Sequence, residues 1–417
     1  MSRSRLIRKM RAACLGALGL LLFSSEAAFS QSGPAANLPA TARLAESVNG
    51  FGFQLLKAMS QDPVTTAGGP SNCFVSPASI AWAFDLVLNG SGGATYEAIA
   101  KTLQLTGWSA TELNATNLAL RKELETADPQ VQISVANSLW GKSGLEFLPE
   151  FLQAAKQFYA AELAPLTGAG PINAWVSAAT KGKITSIIKD SDVTPQTTLF
   201  IVNALYFKGL WQKPFDKAKT TSQAFHGMGA ADHPVPTMDQ SGSYLYYEDP
   251  QLQAIRLPYG SSRMALIVVL PATNSSLKAF TNSLDVAHWK GIVSQMKKRS
   301  GEILLPRFKV EFGAELNQIL RKMGMDLAFT DQADFKKLAK VPPDWWVKIS
   351  SVKHKTFVEV NEEGTEAAAV TSISMLAGAA YHPPEAPFRM QVDRPFFAAL
   401  QDNSTGLILF LGSVAAP

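Results

Sequence analysis

From residue 38 to residue 417 the chain offers nowhere to divide. No interdomain linker and no internal repeat interrupts it, although 417 residues would allow about three domains. Helical periodicity gathers in the first half and β-type runs in the second, without the strict alternation that a parallel βαβ sheet needs. One large α+β domain with largely antiparallel sheets is the expected fold. The composition, 47% hydrophobic and 17% charged, supplies the core such a domain requires.

Ala42 to Met59 carries Leu44, Val48, Phe51, Leu55 and Met59 at helical spacing. Ser76-Pro77 opens a second helix, with Ser as N-cap and Pro in the first turn. That helix is apolar nearly all round and is predicted to be buried. Gly90, Gly92 and Gly93 read as its C-cap and turn. Helices are also predicted over 147–159 and over 172–188, the latter ending in a basic turn. Strands are predicted over 131–140 with a turn at Gly141, and over 199–207, 265–270, 303–310, 347–360, 388–390, 396–400 and 407–412. Lys297, Lys298 and Arg299 read as a solvated helix face, because no aromatics interleave them as a nucleic-acid patch would.

The N-terminus has a different character. Arg3, Arg5, Arg8, Lys9 and Arg11 precede an apolar run from Ala12 to Phe23. That run is too short to span a bilayer, which needs about 20 residues. Ala28 and Ser30 follow at the spacing of a signal-peptidase site, with cleavage after Ala27 as the second reading. Residues 1–30 are therefore expected to be a cleaved signal peptide, residues 31–37 a short flexible segment, and the product secreted or periplasmic. Removing 1–30 takes five of the 38 basic residues and one of the 34 acidic ones, leaving 33 of each. The formal charge of +4 thus belongs to the export signal. Only Cys73 survives cleavage, so no disulfide framework is available, and Cys73 reads as a buried small hydrophobe.

Catalytic chemistry is sparse. The five histidines, His226, His233, His288, His354 and His382, show no zinc-type spacing with one another or with Cys. There is no G-x-S-x-G, no Walker A and no G-x-G-x-x-G. The expectation is a binding or inhibitory protein, not an enzyme, with no metal, no cofactor and no nucleic-acid partner.

Several ordered motifs carry a resemblance. They are N-C-F-V-S-P-A-S-I from Asn72, I-N-A-W-V from Ile172, T-K-G-K-I from Thr180, N-A-L-Y-F-K-G-L-W from Asn203 and L-P-Y-G from Leu257. L-P-R-F-K-V follows from Leu305, then I-S-S-V-K-H-K-T-F-V-E-V-N-E-E-G-T-E-A-A-A from Ile349, D-R-P-F from Asp393 and G-L-I-L-F-L-G from Gly406. From about residue 38 onward the chain resembles the serpins, the serine-protease-inhibitor superfamily, in the form of an exported, bacterial-type inhibitory member. The resemblance implies about nine helices, three mainly antiparallel sheets and an exposed reactive-centre loop at about 362–392. It implies a monomer with no membrane contact after signal cleavage. It further implies a suicide mechanism: a target protease cuts the loop, and the acyl-enzyme is trapped as the loop inserts into the main sheet.

The loop has the composition for this. Its hinge is Glu362, Glu363, Gly364, Thr365, Glu366, Ala367, Ala368 and Ala369. Alternation puts Thr365, Ala367, Ala369, Thr371, Ile373 and Met375 on one uncharged face, and a one-residue slip would bury Glu366. No Pro occurs from Gly364 to His382 to remove a ladder hydrogen bond. Val370 departs from the Ala, Gly or Ser that the resemblance implies there. By family register the scissile bond is Gly378–Ala379; Met375–Leu376, Ala379–Ala380 and Tyr381–His382 are the alternatives. No Arg or Lys lies between Gly364 and Arg389, so elastase-, subtilisin- or chymotrypsin-like targets fit better than trypsin-like ones, with papain-like cysteine proteases as further candidates. The resemblance assigns Ser76, Ser79, Asn203 and His354 to the region under the opening strands and Trp211 to the point of first insertion. The other reading is a non-inhibitory member acting as a carrier or binding module.

Overall fold

The computed structural model describes residues 38–62, 72–126, 128–227, 232–365 and 386–417. Residues 1–37, with the expected signal peptide, and 366–385, with the expected scissile bonds and hinge residues Glu366 to Ala369, lie outside them. Leu38–Pro417 forms one compact unit. Among the described residues it holds nine α-helices and three sheets of nine, six and two strands.

In chain order the strands are β1 (Cys73–Val75), β2 (Val131–Lys142), β3 (Glu146–Phe147), β4 (Glu162–Leu166), β5 (Leu199–Leu210), β6 (Thr221–Phe225), β7 (His233–Glu248), β8 (Leu252–Pro258) and β9 (Met264–Pro271). They continue with β10 (Lys297–Pro306), β11 (Phe308–Glu315), β12 (Ala339–Lys340), β13 (Ile349–Asn361), β14 (Gly364–Thr365), β15 (Phe388–Gln391), β16 (Phe396–Asp402) and β17 (Ile408–Val414). The nine-stranded sheet runs β1-β17-β16-β9-β8-β7-β10-β15, with β6 paired to β7. The six-stranded sheet runs β11-β13-β14-β5-β2-β4, with a direct β13–β5 pairing as well. Pairings are antiparallel except β10–β15, β13–β5 and β2–β4.

Helix α1 (Ala40–Gln61) buries the predicted stripe of Leu44, Val48, Phe51, Leu55 and Met59. It packs on α2 (Pro77–Gly90) and on β17. The Ser76 side chain caps α2 by accepting the Ser79 N–H at 3.2 Å. As its all-round apolarity predicts, α2 is buried almost throughout, and it runs behind β2 and β5. This brings the start of α2 under the six-stranded sheet. The opposite face of that sheet is covered by the helix Ala169–Ala179, whose Ile172 and Val176 pack with Trp140, Phe200 and Val202.

Several elements differ from the sequence expectation, each for a local reason. β2 continues through Gly141 instead of turning there; Gly141 gives room for the Phe147 ring, which a Cβ would meet at 3.0 Å. The helix expected over 172–188 ends at Ala179, where Lys181 (φ 52°) and Gly182 (φ 77°) leave the right-handed region. The run 303–310 is two strands of different sheets, β10 and β11, broken between Pro306 and Phe308. Lys297, Lys298 and Arg299 begin β10 and are not on a helix, which ends at Gln295. Arg299 there pairs with Glu248 at 2.6 Å. The sixteen-residue β7 has no counterpart among the predicted strands, since Pro234, Pro236 and Gly242 punctuate it. Cys73 is half-buried on β1, and burial of its thiol pushes the pKa up to about 12.

Candidate functional site

The site is built on β5 and β13. At one end, from Leu199 and Ile349 to Leu205 and Thr356, they pair directly as parallel neighbours. Beyond Leu205 they part, and β14 lies between them, antiparallel to both. Gly364 stands opposite Leu210 and Asn361, and Thr365 opposite Gly209 and Val360. The outer pairings, β2–β5 and β11–β13, are antiparallel. The parallel ladder at the centre is the weaker kind per residue.

Glycine at 364 is required twice over. Its φ is 147°, and a Cβ there would come 2.1 Å from the Gly209 carbonyl oxygen. Thr365 is buried, with its hydroxyl 2.6 Å from that of Tyr259. Burial pushes the Tyr259 phenol well up, so it stays protonated. Trp211 stacks on the Tyr259 ring at 4.2 Å and 14°. Its backbone N–H donates to the Glu363 carbonyl at 2.9 Å and its indole Nε1 to the Asn361 carbonyl at 2.8 Å. Trp211 thus clamps the chain on both sides of the turn that leads into β14.

Two glutamates precede that turn. Burial alone would raise the Glu362 pKa, but hydrogen bonds from Arg307 and Thr220 outweigh it and hold the carboxyl below the usual range. Arg307 donates from Nε at 2.8 Å and Nη2 at 2.5 Å, and Thr220 from Oγ1 at 2.5 Å. Glu363 pairs with the exposed Lys217 at 2.5 Å.

At the directly paired end, Asn137 of β2, Asn203 of β5 and His354 of β13 stand opposite one another across three strands. Ser76 and Ser79 reach them from α2. The Ser76 N–H donates to His354 Nε2 at 3.1 Å, so the imidazole proton sits on Nδ1, which donates to Asn203 Oδ1 at 2.8 Å. Ser79 Oγ donates to the same Oδ1 at 2.5 Å. Asn203 Nδ2 donates to the Ser79 carbonyl at 2.7 Å and to Asn137 Oδ1. Burial pushes the His354 pKa down to about 3, which keeps the ring neutral. All five residues are buried, and direct hydrogen bonds between them join the two strands.

The structure therefore brings Ser76, Ser79, Asn203 and His354 together in one network, and Glu363, Gly364, Thr365 and Trp211 together about the parting of β5 and β13. Four contributors escaped the sequence reading. Asn137 extends the network, although its own Nδ2 is buried without a partner among the described residues. Thr356 donates to the Phe74 carbonyl at 2.5 Å. Tyr259 and Arg307 complete the hinge seat. Asn137 left little trace in the sequence, since β2 also carries Gln132, Ser134 and Ser138. Among the described residues no group of three His, Cys, Asp or Glu side chains could hold a metal ion.

Comparison with known proteins agrees with this geometry. Residues 46–417 match the family model for the serpin, described as serine protease inhibitor. Serpin B6 of Pongo abelii is 32% identical over 388 residues, spanning 90% of this chain and 99% of that protein. The native state of tengpin, a thermophilic serpin, superposes with a TM-score of 0.81 at 28% identity, covering 90% of this chain and 94% of that one. Human thyroxine-binding globulin, solved in complex with thyroxine, superposes with a TM-score of 0.79 at 26% identity, covering 91% and 100%. Serpins are mostly protease inhibitors, with some non-inhibitory members such as the globulin. With its fold, its full-length relatives and its family-model match in agreement, this chain belongs to the serpin family.

Proposed function

We propose that the protein is an exported suicide inhibitor of serine endopeptidases that traps its target by inserting the cut loop between β5 and β13. The observation that carries this reading is β14, a two-residue antiparallel strand already seated between two parallel ones. Continued in the same register, Thr371 would stand opposite both Asn203 and His354. Its hydroxyl would come between the two groups whose hydrogen bond now closes the sheet. Met375 would reach Leu199, so twelve residues from Gly364 would fill the length of β5. The face led by the buried Thr365 is uncharged throughout. Insertion would replace one parallel ladder by two antiparallel ones, a gain that drives the reaction forward.

Proposed targets are elastase-, subtilisin- or chymotrypsin-like enzymes, with papain-like cysteine proteases as further candidates, because the loop beyond Gly364 offers no cation before Arg389. Gly378–Ala379 is the proposed scissile bond, and residues 1–30 are proposed to direct the chain out of the cytoplasm. Incubation with pancreatic elastase or subtilisin should give a complex stable in SDS and a released C-terminal peptide beginning at Ala379. Cleavage by every protease without complex would refute inhibition. The likeness to thyroxine-binding globulin supports a second reading, a non-inhibitory carrier, which that outcome would favour.

A further inference from the structure

We infer that a cavity on the far side of Trp211 binds an amphipathic organic anion, an aryl carboxylate or sulfonate, with Arg256 as its anchor. The cavity measures about 480 Å³, within the range of small-molecule sites. Trp211, Phe215, Tyr244, Leu257 and Pro258 supply ring and aliphatic wall. Arg256, Lys213 and Lys298 supply the charge, and no carboxylate lines the cavity among the described residues.

Arg256 is the telling group. Its Nε is buried with no hydrogen-bond partner among the described residues. Burial lowers its pKa, and no neighbouring carboxylate offsets that burial. A partly desolvated guanidinium without an anion is costly, and chains seldom retain one unless something pairs with it. The sheet register sets the rest of the arrangement. Lys298 of β10, Leu245 of β7 and Arg256 of β8 stand side by side in one row on one face. At strand spacing the backbones that carry the two cations are roughly 10 Å apart. Leu245 between them is 38% exposed, unusual for a large apolar side chain in a sheet centre. A planar anion can meet Arg256 through two parallel N–H donors, while its apolar body covers Leu245 and the Trp211 wall. Lys213 spends one of its donors on the Ser241 carbonyl at 2.7 Å, which holds its ammonium at the rim.

The test uses the full chain and 1-anilinonaphthalene-8-sulfonate as probe, read by calorimetry and by energy transfer from tryptophan. The expected result is saturable one-to-one binding. Arg256→Met should weaken it by about fivefold or more, since a charged hydrogen bond lost from a buried site costs at least about 1 kcal/mol. The uncharged N-phenyl-1-naphthylamine should bind more weakly than the sulfonate by the same margin. Arg256→Met should melt no lower than the unaltered chain in the absence of probe, because it removes an unpaired charge. A loss under fivefold, or equal binding of the uncharged analogue, would overturn the inference. If Arg256→Met does not fold, Lys213→Ala/Lys298→Ala at the exposed rim is held to the same threshold.

Discussion

The two ends of the β5–β13 seam solve the same packing problem differently. At one end the strands pair directly and a buried polar network, Asn137-Asn203-His354 with Ser76 and Ser79, stitches them to α2. At the other end the strands part around Gly364 and Thr365, held by Trp211 and Tyr259. The open end stacks the Trp211 and Tyr259 rings beside the hinge and already holds Gly364 and Thr365 between the strands. The closed end is polar, and a guest would have to exchange hydrogen bonds there one for one. If the loop inserts as proposed, the contrast places the barrier at the network and the choice of register at the hinge.

The largest way to break this contrast is at the hinge. Thr365→Arg would place a cation against the buried Tyr259 ring, which has no anion to offer. We predict that no SDS-stable complex forms and that the target protease simply cleaves the loop; complex formation at the normal level would show that register is not set there. Asn203→Ala acts at the closed end. It strands the His354 Nδ1–H, the Ser79 hydroxyl and Asn137, and should cost about 2–5 kcal/mol in urea unfolding. A loss under about 1 kcal/mol would mean the seam is closed by the backbone ladder alone.

Acid should separate the two ends more gently. His354 has a folded pKa depressed to about 3, so the folded state resists protonation that the unfolded chain accepts. Its contribution to stability is complete above the unfolded value near 6.5 and is lost as pH falls towards 3, by up to about 1.4 kcal/mol per unit. Glu362 at the hinge is held below 4.5, so its pairing fails only at lower pH. Between about pH 6.5 and 4.5 the closed end alone should weaken. Asp85 opposes this, because burial raises its pKa to about 7 and its cost to the fold grows as pH rises from 3.8. The measurement is therefore made in an Asp85→Asn background, where stability should fall from pH 6.5 to 4.5, and His354→Gln should flatten that fall. Smallest of all is Lys217→Ala. The partner of Glu363 is largely exposed, and its loss should cost under about 1 kcal/mol and leave complex formation unchanged.

The sequence made the two ends unequally legible. Motifs gave Ser76, Ser79, Asn203, His354 and Trp211 as a set, and the alternation of the hinge indicated that Thr365 leads its uncharged face. Contacts between distant segments were invisible. Arg307 meets Glu362 only because a strand of one sheet ends at Pro306 and a strand of the other starts at Phe308. Asn137 meets Asn203 only through the register of β2 on β5. Lys297 to Arg299 misled for a related reason: three adjacent cations carry no periodicity, and their strand state comes from pairing with β7.

On the proposed mechanism the cut loop extends β14 along the seam and parts the direct ladder between β5 and β13. The most direct test is the melting temperature of the full chain before and after limited cleavage between Met375 and Tyr381. Insertion adds several kcal/mol, and with an unfolding entropy of roughly 0.8 kcal/mol/K for a domain of about 380 residues this predicts a rise of about 5 °C or more on cleavage. A melting temperature that stays the same or falls would contradict the account.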